Sequence, residues 1–160
     1  MERKTKVSAE AGRQEIVITR EFDLPVDLLF KAYTEPEIVE QWMGNKVLKL
    51  DNHKYGGWHF RTTDAAGNIL FQAHGTIHAF EPNQQIVRTF QMDNAAFDVT
   101  LEFLDFKKLT DTSSLFSMHI IYRSVELRDL QLKMPFEFGL NMAHGRLQEI
   151  MNQHKTDGSR

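Results

Sequence analysis

The chain has 160 residues, 41% of them apolar and 26% charged, which is the balance of one globular domain. A net charge of −3 with no run of more than two basic residues excludes the phosphate backbone of nucleic acid as a main partner. The absence of Cys excludes disulfides, thiolate metal sites and a Cys nucleophile, and no apolar stretch nears the ~20 residues of a membrane span.

Residues 1–12 are polar and unpatterned and read as a disordered arm; no apolar segment follows the leading charges, so they do not read as a signal peptide, and a cytoplasmic location is expected. Order begins with Glu15 to Phe22, a β-branched run that predicts the first strand. Pro25 suits a first helical turn, and Leu28, Leu29, Ala32 and Tyr33 follow at helical spacing. Thr34-Glu35-Pro36-Glu37 repeats the signal ahead of Ile38, Val39 and Trp42, so a second short helix is expected to stop at Gly44-Asn45.

From Lys46 the apolar period changes to two. Val47 to Leu50 and Trp58 to Thr63 predict strands around a turn or bulge at Gly56-Gly57, and Asp64 to Asn68 predict a hairpin loop. In the return strand Ile69, Phe71, Ala73, Gly75, Ile77 and Ala79 are expected to face inward, with His74, His78 and Phe80 on the other side. Ile86, Arg88, Phe90 and Met92 share a face of the next strand. Phe97, Val99, Leu101 and Phe103 are expected to face in, with Asp98, Thr100 and Glu102 out. Phe116, Met118, Ile120 and Tyr122 alternate along the last strand. Ser124 can cap a short helical turn, and beyond Pro135 the stripe Phe136, Leu140, Ala143, Leu147, Ile150 and Met151 predicts one long helix. Residues 13–154 thus form a single domain and 155–160 a frayed tail.

The expected fold class is α+β: a seven-stranded curved antiparallel sheet around the long C-terminal helix, with two short helices after the first strand. Ile18-Thr19-Arg20-Glu21-Phe22, Thr34-Glu35-Pro36-Glu37, Gln41-Trp42-Met43-Gly44, Gly56-Gly57-Trp58, His74-Gly75, Ile86 to Phe90 and Arg146 to Ile150 occur in an order that resembles the activator of heat-shock chaperone ATPase homologue-like family of the START/Bet v 1-like (SRPBCC) superfamily. The resemblance spans roughly Ile16 to Gln153 and implies the helix-grip fold, with a hydrophobic cavity between helix and sheet. Three departures stand out. Trp42-Met43-Gly44-Asn45 replaces the family's Trp-Trp-Gly-Pro, Lys54-Tyr55 replaces an Arg-Pro pair before the Gly-Gly turn, and Pro135 interrupts a segment the family keeps helical.

The candidate cavity wall is Trp42, His59, Phe71, Arg88, Phe90, Phe97, Leu101, Phe103, Phe116, Met118, Tyr122, Phe136, Leu140 and Met142. A guanidinium of Arg88 inside it needs a carboxylate partner or an anionic ligand; the alternative is that a twisted strand carries Arg88 to solvent. Whether His59 and Arg61 or Trp58 and Phe60 face inward is open. Glu102 and Glu137 are expected to be solvated. His74 and His78 lie ~13 Å apart on a strand, too far to share a metal ion. No metal, no cofactor and no catalytic constellation emerges. The reading is a non-enzymatic binder of a small hydrophobic or amphipathic molecule. The resemblance adds two alternatives: a chaperone-interacting, stress-response partner, and a cyclase/aromatase-type enzyme using Arg88, His59 and Tyr122. A monomer and a homodimer are both compatible with the chain.

Overall fold

The computed structural model describes residues 3–158, with side chains as far as 155. The elements run β1 (Lys6–Ser8), β2 (Glu15–Phe22), α1 (Val26–Thr34), α2 (Pro36–Met43), β3 (Lys46–Leu50), β4 (Gly57–Thr63), β5 (Ile69–Glu81), β6 (Gln85–Met92), β7 (Thr100–Lys108), β8 (Ser114–Ile121), α3 (Val125–Leu132) and α4 (Phe136–Gly158). Among the described residues the sheet has eight strands, not seven, in the antiparallel order β1-β2-β8-β7-β6-β5-β4-β3. The extra strand comes from the arm expected to be disordered, where Lys6, Val7 and Ser8 pair with Thr19, Ile18 and Val17. The tail is likewise helical through Gly158, and Arg160 lies outside the described residues.

The two short helices start and stop where local chemistry dictates. Pro25 precedes α1, Pro36 opens α2, and Gly44 ends α2 in the left-handed conformation (φ 68°) that glycine adopts without a steric penalty. Ser124 caps α3 by accepting a hydrogen bond from the Leu127 N–H. Phe22, Leu29, Val39, Phe116, Leu147 and Met151 bring β2, α1, α2, β8 and the C-terminal half of α4 into one core. Each such side chain contributes about 1.5–3 kcal/mol through burial. Phe136, Leu140, Ala143 and His144, in the N-terminal half of α4, instead face a cavity.

Two strands depart from simple alternation. In β5 the register with β6 shifts between Ile77 and Ala79, a bulge that turns Phe80 inward against Phe30 (ring centroids 5.4 Å apart) although its parity in sequence puts it outside. Before β7, Asp98 takes a positive φ of 62°. That single left-handed residue uncouples Phe97 from the strand behind it. Thr100, Glu102, Leu104 and Phe106 therefore face inward, while Leu101 and Phe103 face out, the reverse of the expected parity.

Candidate functional site

The cavity lies between the concave sheet and the first two turns of α4, with a volume of about 420 Å³. Most of its wall is apolar and comes from every layer of the fold: Trp42 from α2, Phe71 from β5, Phe90 from β6, Met118 from β8, Phe136 and Leu140 from α4. Trp42 can sit at an apolar wall because its indole N–H is satisfied elsewhere, donating to the Ala32 carbonyl at 2.7 Å.

Arg88 points inward and is buried. The carboxylate it requires is Glu102, its cross-strand partner in the β6–β7 register. Nε donates to Oε1 at 2.9 Å, and the guanidinium carbon lies 4.9 Å from the ring centre of Trp58, adding a cation–π contact. The flipped parity of β7 is what delivers Glu102 to this place, so its expected solvation is corrected to burial in an ion pair. β4 resolves the same way: Trp58 and Phe60 face the core, which puts His59 and Arg61 on the opposite face. There the His59 ring meets that of His74 at 6.2 Å, away from the cavity.

Eight polar residues of the lining are absent from the sequence-derived wall, among them Glu102 and two on helices, Tyr33 and His144. Tyr33, on α1, is stacked on Phe116 with ring centroids 4.8 Å apart, and its buried hydroxyl has no hydrogen-bond partner among the described residues. Burial raises the pKa of that phenol far above its ordinary range, so it stays a neutral donor. His144, on α4, is buried among Phe22, Trp42 and Phe116, with Nδ1 2.6 Å from the Thr5 hydroxyl of the arm. Burial first, and the charge of Arg20 second, lower its pKa to about 3, which keeps the imidazole neutral. Both residues carried a signal. Tyr33 lies in the apolar stripe of the first helix, and His144 is four residues after Leu140 and three before Leu147, on the buried stripe of α4.

Of the candidate wall residues, Trp42, Phe71, Arg88, Phe90, Phe97, Met118, Tyr122, Phe136 and Leu140 line the cavity together. Phe116 is fully buried behind Tyr33 and supports the wall from the core. Leu101 and Phe103 belong to the outer face, where Phe103 meets the His119 ring at 6.0 Å. Met142 is half exposed because it falls outside the i, i+3, i+4 stripe that buries Leu140, His144 and Leu147. Among the described residues no group of three His, Asp or Glu is placed to hold a metal ion, and no helix is long and apolar enough to cross a membrane.

The family model described as activator of Hsp90 ATPase homolog 1-like protein matches residues 23–152. No curated protein matches the chain. Solved structures of similar fold include a Rhodobacter sphaeroides protein (TM-score 0.84, 17% identity, 94% of this chain and 99% of that one). A Mycobacterium smegmatis protein gives a TM-score of 0.80 at 19% identity, covering 91% and 95% of the two chains. A Nitrosomonas europaea protein gives 0.76 at 20% identity, covering 92% and 99%.

Proposed function

The chain belongs to the activator of Hsp90 ATPase homolog 1-like family, and from that membership together with its cavity we propose that it binds a small hydrophobic or amphipathic molecule between α4 and the sheet. The observation that carries this reading is a cavity of about 420 Å³ whose wall is mostly apolar, with aromatic and Met side chains prominent in it. That size falls within the range of small-molecule sites, and an apolar wall with a few convergent polar groups is their usual chemistry. Met43, Met92 and Met118 add adaptable surface, so ligands of somewhat different outline can be accommodated. The test is native mass spectrometry with a panel of uncharged aromatics and lipids, on the natural chain and on Ala143→Leu, which places extra volume in the cavity from α4. Retention of a compound by the natural chain and its loss from a folded A143L variant is the expected result. Failure of every compound to bind removes the reading.

The family description supports a second reading, docking to the heat-shock chaperone. Met134, Phe138 and Met142, spaced four apart around the start of α4, are each at least half exposed and give such a partner an apolar surface. Chaperone ATPase turnover measured with the natural chain and with Phe138→Ser tests it, and unchanged turnover on adding the natural chain removes it.

A further inference from the structure

We propose that the molecule held in this cavity is uncharged and presents a hydrogen-bond-accepting oxygen, such as a ketone or ester carbonyl, to the Tyr33 hydroxyl. The inference rests on the cavity-binding reading and narrows it from "apolar or amphipathic" to one polar class.

The first argument is the charge inventory of the wall. Among the described residues the lining contains one permanent cation, Arg88, against two carboxylates, Glu102 and Asp98, for a net charge of −1 with His144 neutral. The single cation is already committed. Its Nε is bonded to Glu102 and its face is covered by Trp58. Asp98 is held by Arg123, which approaches from outside the lining, and that guanidinium is mostly exposed. A carboxylate or phosphate entering the cavity would therefore leave water without gaining an unshared cation, and would meet a wall of its own sign. A fatty acid or other anionic amphiphile is the wrong class.

The second argument is a buried hydroxyl donor of the lining that has no partner among the described residues. Tyr33 is almost wholly enclosed, its oxygen has no hydrogen-bond partner among the described residues, and it is one of the residues lining the cavity. Arg88 and Glu102 both act on it electrostatically, and all three residues line the same cavity. A buried hydroxyl left unpaired is costly, and a ligand oxygen that accepts from it recovers that cost on binding. A neutral acceptor satisfies Tyr33 without disturbing the Arg88–Glu102 pair. The aromatic side chains Trp42, Phe71, Phe90 and Phe97 around the remaining wall favour a flat apolar body behind the oxygen.

The experiment is titration calorimetry with three naphthalene probes of similar shape: 2-acetylnaphthalene, 2-naphthoate and 2-ethylnaphthalene. Each is titrated into the natural chain and into Tyr33→Phe. The ketone is expected to bind the natural chain at least about 10-fold more tightly than the carboxylate, given the cost of an unpaired buried charge. Y33F is expected to lose about 5- to 20-fold in ketone affinity, one hydrogen bond's worth, and to leave 2-ethylnaphthalene unchanged. Tightest binding by the carboxylate overturns the proposal, as does an equal effect of Y33F on the ketone and the ethyl probe. Binding of 2-ethylnaphthalene without preference for the ketone overturns it while sparing the cavity reading, and binding of none of the three overturns both. The comparison of probes on the natural chain stands even if Y33F does not fold.

Discussion

Removing one member of the Arg88–Glu102 pair should cost far more stability than removing both. The two side chains are buried and their charged atoms are 2.9 Å apart. At that distance and an effective dielectric of about 20, unit charges attract by about 6 kcal/mol. Desolvation of the two ions costs several kcal/mol each, so attraction and desolvation come close to cancelling and the pair adds little net stability. The single variants lose the attraction but keep one desolvated charge. Glu102→Leu leaves a guanidinium against Trp58, and Arg88→Met leaves a carboxylate in an apolar wall; each is expected to destabilise by about 3–5 kcal/mol. For a chain of this length that lowers the unfolding midpoint by about 10 °C. The double variant R88M/E102L is expected within about 1–2 kcal/mol of the natural chain, which makes the coupling several kcal/mol. Urea unfolding followed by far-ultraviolet circular dichroism measures all four proteins without relying on Trp58, whose environment the substitutions alter. Single variants that cost less than about 1 kcal/mol would refute the reasoning, because they would mean that the cavity hydrates either charge once it is alone.

His144 gives a pH prediction with a definite sign. Its folded pKa of about 3 lies below the ordinary imidazole value of 6.5, so between those values the unfolded chain binds the proton and the folded chain does not. Stability should therefore fall as pH drops from 6.5 toward 3, by at most about 1.4 kcal/mol per pH unit from this residue, with no contribution above that window. Unfolding titrations of the natural chain and His144→Met should diverge across it; identical slopes would contradict the assignment. Gly75→Ala should cost about 1–3 kcal/mol or more, since a Cβ there would stand 1.9 Å from the Thr89 carbonyl oxygen and 2.7 Å from the Trp58 indole nitrogen. An unchanged melting temperature would show that the strands can part. Leu147→Ala, in the core, should cost about 2–5 kcal/mol by chemical denaturation, whereas Met142→Ala on the open face should fall within about 0.5 kcal/mol. Equal effects would mean that α4 is rotated from the face described.

The helix-grip architecture was legible because its signals are local: Pro25, Pro36 and Gly44 punctuate the short helices, and the stripe through Leu140, Leu147 and Met151 marks α4. Nine of the fourteen expected wall residues meet in the cavity for the same reason. What escaped depends on one-residue events. The bulge after Ile77 and the left-handed Asp98 each shift parity by one, and a shift of one moves a whole strand's side chains to the other face. Leu101 and Phe103 left the site, and Glu102 entered it, for that reason alone. Glu102 was recoverable from tertiary logic, because a buried Arg88 demands a carboxylate from an adjacent strand, but alternation in hydrophobicity carries no such information. His59 was undecidable because Trp58 and Phe60 compete with His59 and Arg61 at equal spacing. β1 was invisible because three residues are too few to show a period.

The contact between Thr5 and His144 joins residues 139 positions apart, so it closes nearly the whole chain into a single loop. The entropy of closing so long a loop rises only logarithmically with length, and most of it is already spent once β2, β8 and α4 have come together. The Thr5–His144 contact can form only on that assembled frame, although β1 itself pairs with the nearby β2. Folding of that frame buries the imidazole and lowers its pKa to about 3, so below pH 6.5 a proton must leave as the frame forms. Assembling the frame on which the arm rests thus becomes a proton-releasing step, and mildly acidic solution weakens the support under the arm.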